Sequence, residues 1–471
     1  MNTAGHMAAL DRAWLLMERP ANPMVVVGLV VLQGVLSHAR LRRIVQKRFL
    51  AFERFRSVPV MDAFSASWAP ADYFNIDDHV LVAALPAPAG RRELQELAGE
   101  LASTPLNPAR PRWTFHLVEH YRGGSAVIIR IHHCYADGIA LMHVFMRLAD
   151  AQSGASAESP ADDAQSPLAA RPAPDGGLGF IPELLGQTLR GSADLIEKSI
   201  HYAFHPVEAA GAARGALGIV GEVAHLGMLL PDDPATCLKH TLGGSRRAAW
   251  AEPIALEEVR TLSHLLGCSI NDVLVATLAG ALGRYLDSQG EGTAGLAIRA
   301  TVPVNLRPEG VVPLELGNHF GLVFVDLPVG IRHPLERLEI VHANMQALKN
   351  SPQALVTLGL LTLVGSLPAA LEESAIELFS AKASLVASNL RGPQQPLRLG
   401  GVQISQLLFW VPQAGSVGTG VSMLTYNGEV QFGVLADRQL IPDPDELVVL
   451  IQSEFERLVL LVLLGSSALT V

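Results

Sequence analysis

The first part of the chain alternates between strand-like and helix-like patterns of apolar residues. Residues 24–32 form a nearly continuous run of valine and leucine, which predicts a buried strand, and residues 41–55 carry apolar side chains at helical spacing between arginines. A β-branched run over residues 126–131 predicts a second strand. Apolar residues spaced as in a helix follow it over residues 141–148. The pattern predicts an α/β lobe.

The second part of the chain repeats this alternation after a break. Residues 151–179 are rich in Ala, Ser, Pro, Asp and Gly and lack periodicity, which is typical of a linker, and a Gly/Ala-rich helical pattern continues to residue 242. Strand signals then return at residues 297–304, 322–327, 385–388 and 430–435. We therefore predict a first lobe over residues 1–150, a connection over residues 151–242 and a second lobe over residues 243–471.

Length and composition agree with two lobes that handle an apolar ligand. A chain of 471 residues is too long for one ordinary core. Hydrophobic residues make up 49% and charged residues 17%, and the mean hydropathy is +0.29, so the chain is more apolar than an average soluble protein. A net charge of -10 argues against a nucleic-acid partner, which would require concentrated Lys and Arg.

Cysteine spacing and the N-terminal residues favour a cytoplasmic location. Cys134, Cys237 and Cys268 lie far apart without a CxxC pair, which favours neither a zinc site nor a disulfide framework. Charged residues, among them Asp11 and Arg12, interrupt the first apolar stretch, so no secretion signal is expected. We therefore expect a cytoplasmic protein.

One uncharged segment, residues 354–371, is near the minimum length for a membrane span. Gly359, Gly365 and Pro368 interrupt it, so we expect peripheral contact with a membrane rather than a crossing. A buried helix that lines the core is an equally good interpretation, because internal helices are often apolar on all sides.

The strongest chemical signal is the sequence His132-His133-Cys134-Tyr135-Ala136-Asp137-Gly138, at a predicted strand-to-helix turn. Strand alternation places His133 on the face of Ile131, and His132 on the opposite face. A neutral imidazole at the end of a rigid strand suits proton removal from a hydroxyl, so His133 is the candidate general base. For Asp137 we predict a structural role in the turn, paired with an arginine.

The motif has two other interpretations. A histidine pair at a strand end can be ordinary hydrogen-bonded packing, and for a lone histidine that would be the better choice. A metal site is a weaker interpretation, because adjacent histidines on a strand point apart and no further ligand follows at a recognisable spacing, so no metal is expected.

In the motif, Gly138 supplies backbone freedom at the start of the next helix.

A second candidate group begins a predicted helix. Ser269 is expected to be its N-cap and Asp272 to complete a capping box at the third helical position. Asn271 then lies in the first turn, where its amide could stabilise an oxyanion beside the positive end of the helix dipole. A plain helix start is the alternative.

Three arginines are candidates for anion binding. Arg246 and Arg247 form a pair that could meet the phosphates of a ligand as forked donors, although a solvated loop is the simpler interpretation. Arg307 could pair with Asp137 or anchor the second lobe, and the sequence leaves both choices open.

The chain resembles the bacterial wax ester synthase/diacylglycerol acyltransferase family, within the coenzyme A-dependent acyltransferase superfamily. The histidine motif carries the superfamily resemblance. The blocks that narrow it to the family are residues 10–34, 104–113, 269–273, 303–308 and 388–393.

This resemblance implies two chloramphenicol-acetyltransferase-like lobes, each a mixed sheet flanked by helices, with an active-site tunnel between them. It implies that His133 acts as base on the acyl acceptor, with His132, Asp137 and Asn271 in the catalytic group. Gly138, Ser388 and Asn389 are expected to bind substrate.

The expected activity is transfer of a long-chain acyl group from acyl-CoA, a substrate and not a cofactor, to a fatty alcohol or diacylglycerol. The product would be a wax ester or triacylglycerol. Two alternatives stay open at this point. One is a condensation-domain-like acyltransferase that uses carrier-bound substrates, and the other is a non-catalytic lipid-binding protein.

Overall fold

The computed structural model describes residues 5–62, 65–150, 230–307, 316–349, 351, 353–365 and 376–468. The predicted linker at residues 151–179, and the helical stretch that follows it as far as residue 229, lie outside these ranges. Within them the chain forms three β-sheets and nine α-helices whose bounds follow, and residues 376–380 are helical as well. The helices are α1 (Ala9–Leu16), α2 (His38–Ile44), α3 (Arg91–Ser103), α4 (Gly138–Leu148), α5 (Leu256–Leu265), α6 (Ile270–Ser288), α7 (Pro334–Lys349), α8 (Gln353–Val364) and α9 (Pro444–Ala468).

Six strands form the sheet of the first lobe. In spatial order they are β13 (Arg398–Leu399), β14 (Val402–Trp410), β2 (Val25–Leu32), β7 (Gly124–His132), β6 (Trp113–Tyr121) and β5 (Val80–Ala83). Seven of the eight residues of β2 are buried, as expected for an apolar strand in the middle of a sheet. Its antiparallel register with β7 sets Val25 opposite His132, so the end of β7 that carries the histidine motif is anchored to β2.

The second lobe is built on a mixed sheet of seven strands. Along its main path the order is β11 (Phe320–Leu327), β10 (Ile298–Asn305), β12 (Leu385–Arg391), β15 (Thr419–Tyr426), β16 (Glu429–Asp437) and β8 (Arg246–Trp250), and β9 (Ile254–Ala255) pairs with β16. Parallel pairs join β12 to β10 and β15, while the other pairs are antiparallel. The α/β class and the two lobes with mixed sheets agree with the prediction.

The core of the second lobe forms around α6. Nearly every side chain from Asp272 to Gly283 is buried, which matches a helix that is apolar on all sides. Its start is the predicted capping box: Ser269 Oγ accepts from the amide of Asp272, and the Asp272 carboxylate accepts from the amide of Ser269, at 3.1 and 2.9 Å.

One part of the predicted domain boundary is wrong. Residues 398–410, which the sequence assigned to the second lobe, supply β13 and β14 to the sheet of the first lobe. Strand β14 pairs antiparallel with β2, with Trp410 opposite Val27. The chain therefore crosses between the lobes, and β14 pairs with the edge of β2 that β7 leaves open. A small third sheet contains β1 (Gly5–His6), β4 (Ala66–Pro70) and β3 (Ser57–Met61).

The uncharged segment at residues 354–371 is described as far as residue 365. Helix α8 lies directly on β11, where Gly321 is required, because an added Cβ would overlap the carbonyl oxygen of Ala354. Thr357 Oγ1 accepts from the amide of Leu322 at 2.8 Å. Across the described ranges, no single helix has the length and apolarity of a membrane span; α5 and α6 meet those criteria only as a pair bent by 100°.

Candidate active site

His133 lies at the end of β7, where parts of both lobes fix it from two sides. Its main-chain N–H donates to the carbonyl of Met24 at 2.7 Å, and its carbonyl accepts from the side-chain amide of Asn318 at 2.9 Å. The imidazole stacks on the indole of Trp14, with ring centroids 4.1 Å apart and planes inclined by 20°. The ring is therefore held in one orientation before any substrate arrives.

Burial keeps the His133 imidazole neutral. The side chain is almost completely buried, and this lowers its pKa to about 4, although the negative charge of Asp137 offsets part of the effect. Nδ1 is buried and makes no hydrogen bond to any described residue, so Nε2 is the nitrogen left for a ligand. A neutral ring with a free acceptor nitrogen is the form that a general base requires.

A buried carboxylate supports the loop that holds His133. Asp11 of α1 accepts from both the amide and the side chain of Asn318, at 3.0 and 2.8 Å, and pairs with Arg54 at 3.2 Å. Burial raises the pKa of Asp11 to about 6, against the lowering effects of Arg54 and Asn318. Asp11 therefore connects the N-terminal helix to the main chain of His133 through Asn318.

Asp137 ends the motif and joins the lobes. Its Oδ1 accepts from the amide of Ala140 at 2.9 Å and so caps helix α4. Its Oδ2 accepts from the amide of His319 at 2.8 Å and lies 2.6 Å from Nη1 of Arg307. The predicted pairing of Asp137 with an arginine is confirmed, and Arg307 is the partner.

His132 points away from His133, as the strand alternation predicts. It is completely buried, its Nδ1 accepts from the amide of Cys134 at 3.2 Å, and its Nε2 lies 3.6 Å from Glu18. Glu18 also pairs with Arg112 at 3.0 Å. Burial lowers the pKa of His132 despite the nearby Glu18 charge. These contacts give His132 the surroundings of a packing residue.

An apolar cavity of about 130 Å³ adjoins the His133 ring. Trp14 of α1 and Met17, which follows that helix, form one side of it. Strands β10 and β11, helix α8 and the segment after β14 form the other sides, with Thr301, Phe320, Leu322, Thr357, Leu361 and Val411. The cavity therefore lies between elements of the two lobes and suits a hydrocarbon chain.

Cys134 is poorly suited to be a nucleophile. It is completely buried, and burial raises the pKa of its thiol well above the usual range, so the thiol stays protonated. It does not line the cavity that contains His133.

The other predicted site residues are spread over several places. Asn271 lies outside the cavity lining, where its Oδ1 accepts from Nδ2 of the exposed Asn389 at 2.9 Å. Ser388 is buried on the same strand face as Val386, which does line the cavity. The catalytic role of Asn271 and the substrate-binding roles of Ser388 and Asn389 stay predictions.

Gly138 begins α4, but its predicted backbone freedom is not used. It does not have a left-handed φ, and an added Cβ would meet no atom within 4 Å. Empty space therefore adjoins this glycine, next to the end of the histidine motif.

The solvated-loop interpretation of Arg246 is wrong. Arg246 begins β8, is 4% exposed, and donates to side chains of Gln413 and Asn22. A guanidinium committed to buried partners in this way is not available for coenzyme A phosphates. Its neighbour Arg247 donates to the carbonyl of Pro442 at 2.7 Å.

Several residues that surround His133 were not predicted from the sequence. Trp14, Asp11 and Asn318 lie far from the motif along the chain, and no local pattern connects them to it. Trp14 and Asp11 do fall within the block at residues 10–34 that carries the family resemblance. That block is the sequence feature that could have identified them as site residues. Over the described ranges, no group of three or more His, Cys, Asp or Glu residues could hold a metal ion.

Comparison with known families covers most of the chain. Residues 7–274 match the wax ester synthase/diacylglycerol acyltransferase catalytic domain, and residues 316–459 match the WS/DGAT C-terminal domain. A relative from Mycobacterium tuberculosis, a probable diacylglycerol O-acyltransferase (tgs1), is 29% identical over 415 residues. The alignment covers 86% of this chain and 84% of the relative.

Solved structures share the fold. The wax ester synthase/diacylglycerol acyltransferase from Marinobacter aquaeolei superposes with a TM-score of 0.66 at 20% identity, covering 97% of this chain and 99% of that one. The first condensation domain of the calcium-dependent antibiotic synthetase gives a TM-score of 0.58 at 16% identity, covering 97% and 95%. The two-lobed architecture is thus common to both kinds of protein.

Proposed function

The chain belongs to the wax ester synthase/diacylglycerol acyltransferase family and is an acyltransferase, and we propose that it moves a long-chain acyl group from acyl-CoA to a fatty alcohol or a diacylglycerol. The observation that carries this proposal is the neutral, rigidly held His133 beside an apolar cavity between the lobes. The apolar lining of this cavity suits contact with part of a hydrocarbon chain next to the base.

In this mechanism His133 Nε2 accepts the hydroxyl proton of the acceptor as its oxygen attacks the thioester carbonyl. A tetrahedral oxyanion forms, and the side-chain amide of Asn271, which lies outside the cavity lining in the structure, is the proposed donor. Collapse of the intermediate breaks the C–S bond, and protonated His133 returns the proton to the leaving thiolate. Both substrates are present at once, and no acyl-enzyme forms.

The surroundings of His133 support this role physically. Asn318 and Met24 fix its main chain, and Trp14 fixes its ring, so little reorganisation is needed before proton transfer. The Asp137 carboxylate stabilises the imidazolium that forms in the transition state, through the charge interaction that already raises the His133 pKa.

We further propose that the protein is cytoplasmic and makes peripheral contact with the inner membrane or with lipid inclusions.

Release of free CoA tests the proposal. Purified protein is mixed with a long-chain acyl-CoA alone, with added fatty alcohol, and with added diacylglycerol. The expected result is sustained CoA release only when an acceptor is present, together with the matching ester. Acyl-CoA binding without release under all three conditions would indicate a lipid-binding protein, while transfer only from carrier-bound acyl groups would indicate a condensation-domain-like enzyme.

A further inference from the structure

A second concave site lies on the first lobe. It has a volume of about 860 Å³ and shares no lining residue with the cavity that contains His133. Its walls come from α2 and the π-helical segment Val45–Phe49 that continues it, the C-terminal end of α4 with the residues after it, and the turn between β13 and β14. We call it the arginine pocket, after Arg40, Arg43, Arg48, Arg147 and Arg398.

The charge of the arginine pocket opposes that of the whole chain. Five arginines and one acidic residue, Asp150, line it, which leaves four positive charges in one concavity. The complete chain has a net charge of -10. A local excess of this sign on an acidic protein attracts anions to one place on its surface.

The single carboxylate of the pocket, Asp150, already has its own partners and does not neutralise the remaining arginines. Asp150 pairs with Arg48 at 2.6 Å and accepts from the amide of Gly401 at 2.7 Å. Among the described residues, no carboxylate lies within 4.0 Å of the guanidinium groups of Arg40, Arg43 and Arg147. These three guanidiniums are therefore not neutralised by a carboxylate of the described residues, and their side chains are exposed to solvent, where an anion can reach them.

The turn at the edge of the pocket is shaped around one of these arginines. Gly400 and Gly401 have φ values of 58° and 73°, in the left-handed region that favours glycine. A Cβ at Gly401 would lie 3.0 Å from Nη2 of Arg40. Gly401 thus keeps the turn clear of the Arg40 guanidinium, whereas a Cβ at Gly400 would lie 2.9 Å from Cδ1 of Ile44.

We propose that the arginine pocket binds a phosphate group. Each guanidinium offers a planar pair of donors that matches two phosphate oxygens, and three unbalanced guanidiniums match the several oxygens and charges of one phosphate ester or pyrophosphate. The ligand class is a phosphorylated molecule, either free in solution or carried as the headgroup of an acidic lipid. The site does not depend on the proposed acyl transfer.

The test compares two triple variants of the full chain. Arg40→Ala/Arg43→Ala/Arg147→Ala removes the unbalanced arginines. The control Arg92→Ala/Arg260→Ala/Arg332→Ala removes the same charge from exposed arginines that already pair with carboxylates elsewhere. Binding of inorganic pyrophosphate is measured by titration calorimetry, and cosedimentation is measured with phosphatidylcholine vesicles with and without phosphatidylglycerol, in both cases without acyl-CoA.

The expected result is saturable binding by wild type and control, weakened about tenfold or more in the pocket variant. Its ligand-free melting temperature should stay near that of wild type, because the three substituted side chains are exposed and no described carboxylate pairs with them. Pyrophosphate binding without vesicle binding identifies a free phosphate ligand, and vesicle binding that requires phosphatidylglycerol identifies a lipid headgroup. The single variant Arg147→Ala, at an exposed position, repeats the test if the triple variant does not fold.

Absence of saturable binding by wild type to either probe would overturn the proposal. So would equal weakening in the control variant, because the effect would then follow net charge and not the pocket. Since no acyl-CoA is present, neither result bears on the acyl transfer proposed above.

Discussion

Replacing Asp137 tests whether its role is structural. Asp137→Ala removes the cap of α4, the acceptor for the His319 amide and the partner of Arg307 in one step. The two charged side chains are only 5% and 10% exposed, so solvent compensates little for the loss. Breaking a buried pair by removing one partner costs about 3–5 kcal/mol, and the lost cap, worth about 1 kcal/mol alone, overlaps with it.

The expected result is a melting temperature lower by roughly 5 °C or more, accompanied by loss of activity. Asp137→Asn keeps an oxygen that can cap α4 and should fall between wild type and Asp137→Ala. Asp77→Ala is the matched control, because the Arg42–Asp77 pair has the same 2.6 Å separation but side chains that are 37% and 54% exposed. Its melting temperature should hardly change.

Thermal melting and a double-mutant cycle with Arg307→Ala measure the effect. The coupling between the two positions should exceed about 1 kcal/mol. A fully stable but inactive Asp137→Ala variant would refute the structural role and would leave the charge interaction with His133 as the contribution of this carboxylate.

Three further predictions concern the chemistry. Asn271→Ala should lower turnover by about one to three orders of magnitude with little change in acyl-CoA affinity; a change confined to KM would place the amide in substrate positioning instead. Cys134→Ala should keep substantial activity, because burial keeps the thiol protonated, and rapid mixing with acyl-CoA alone should give no stoichiometric burst of CoA. An acyl adduct on Cys134 in intact-protein mass spectrometry would contradict this. Burial lowers the His133 pKa to about 4, so the neutral base persists as the pH falls and kcat/KM should decline only near that pH. A decline of kcat/KM with an apparent pKa near 6.5 would show that burial does not lower the His133 pKa in the free enzyme.

The sequence predicts local structure well where one strand or helix has its own apolar pattern. Strand β7 and helix α4, on either side of the histidine motif, appear within three residues of their predicted ends. The β-branched run and the 3.6-residue spacing are properties of contiguous residues, so no distant information is needed. The orientation of His132 away from His133 follows from the same strand alternation.

Partners distant in sequence could not be predicted in this way. Pairing of β14 with β2 joins residues separated by more than three hundred positions, and no local pattern identifies which edge a strand will occupy. Arg246 was misassigned for the same reason, because the partners that bury it, Asn22 and Gln413, lie in distant segments. The contacts of His133 with Trp14 and Asn318 also depend on the assembled fold.

Acyl-CoA turnover by His133→Ala tests the central claim most directly. With saturating acyl-CoA and the preferred acceptor, CoA release should fall by about a hundredfold or more, while the melting temperature stays near that of wild type. His132→Ala is the companion variant and should keep a measurable fraction of activity, although loss of a buried side chain beside Glu18 will lower its stability. Wild-type turnover by a folded His133→Ala protein, or equal and complete loss in both variants with folding intact, would contradict the assignment of His133 as the general base.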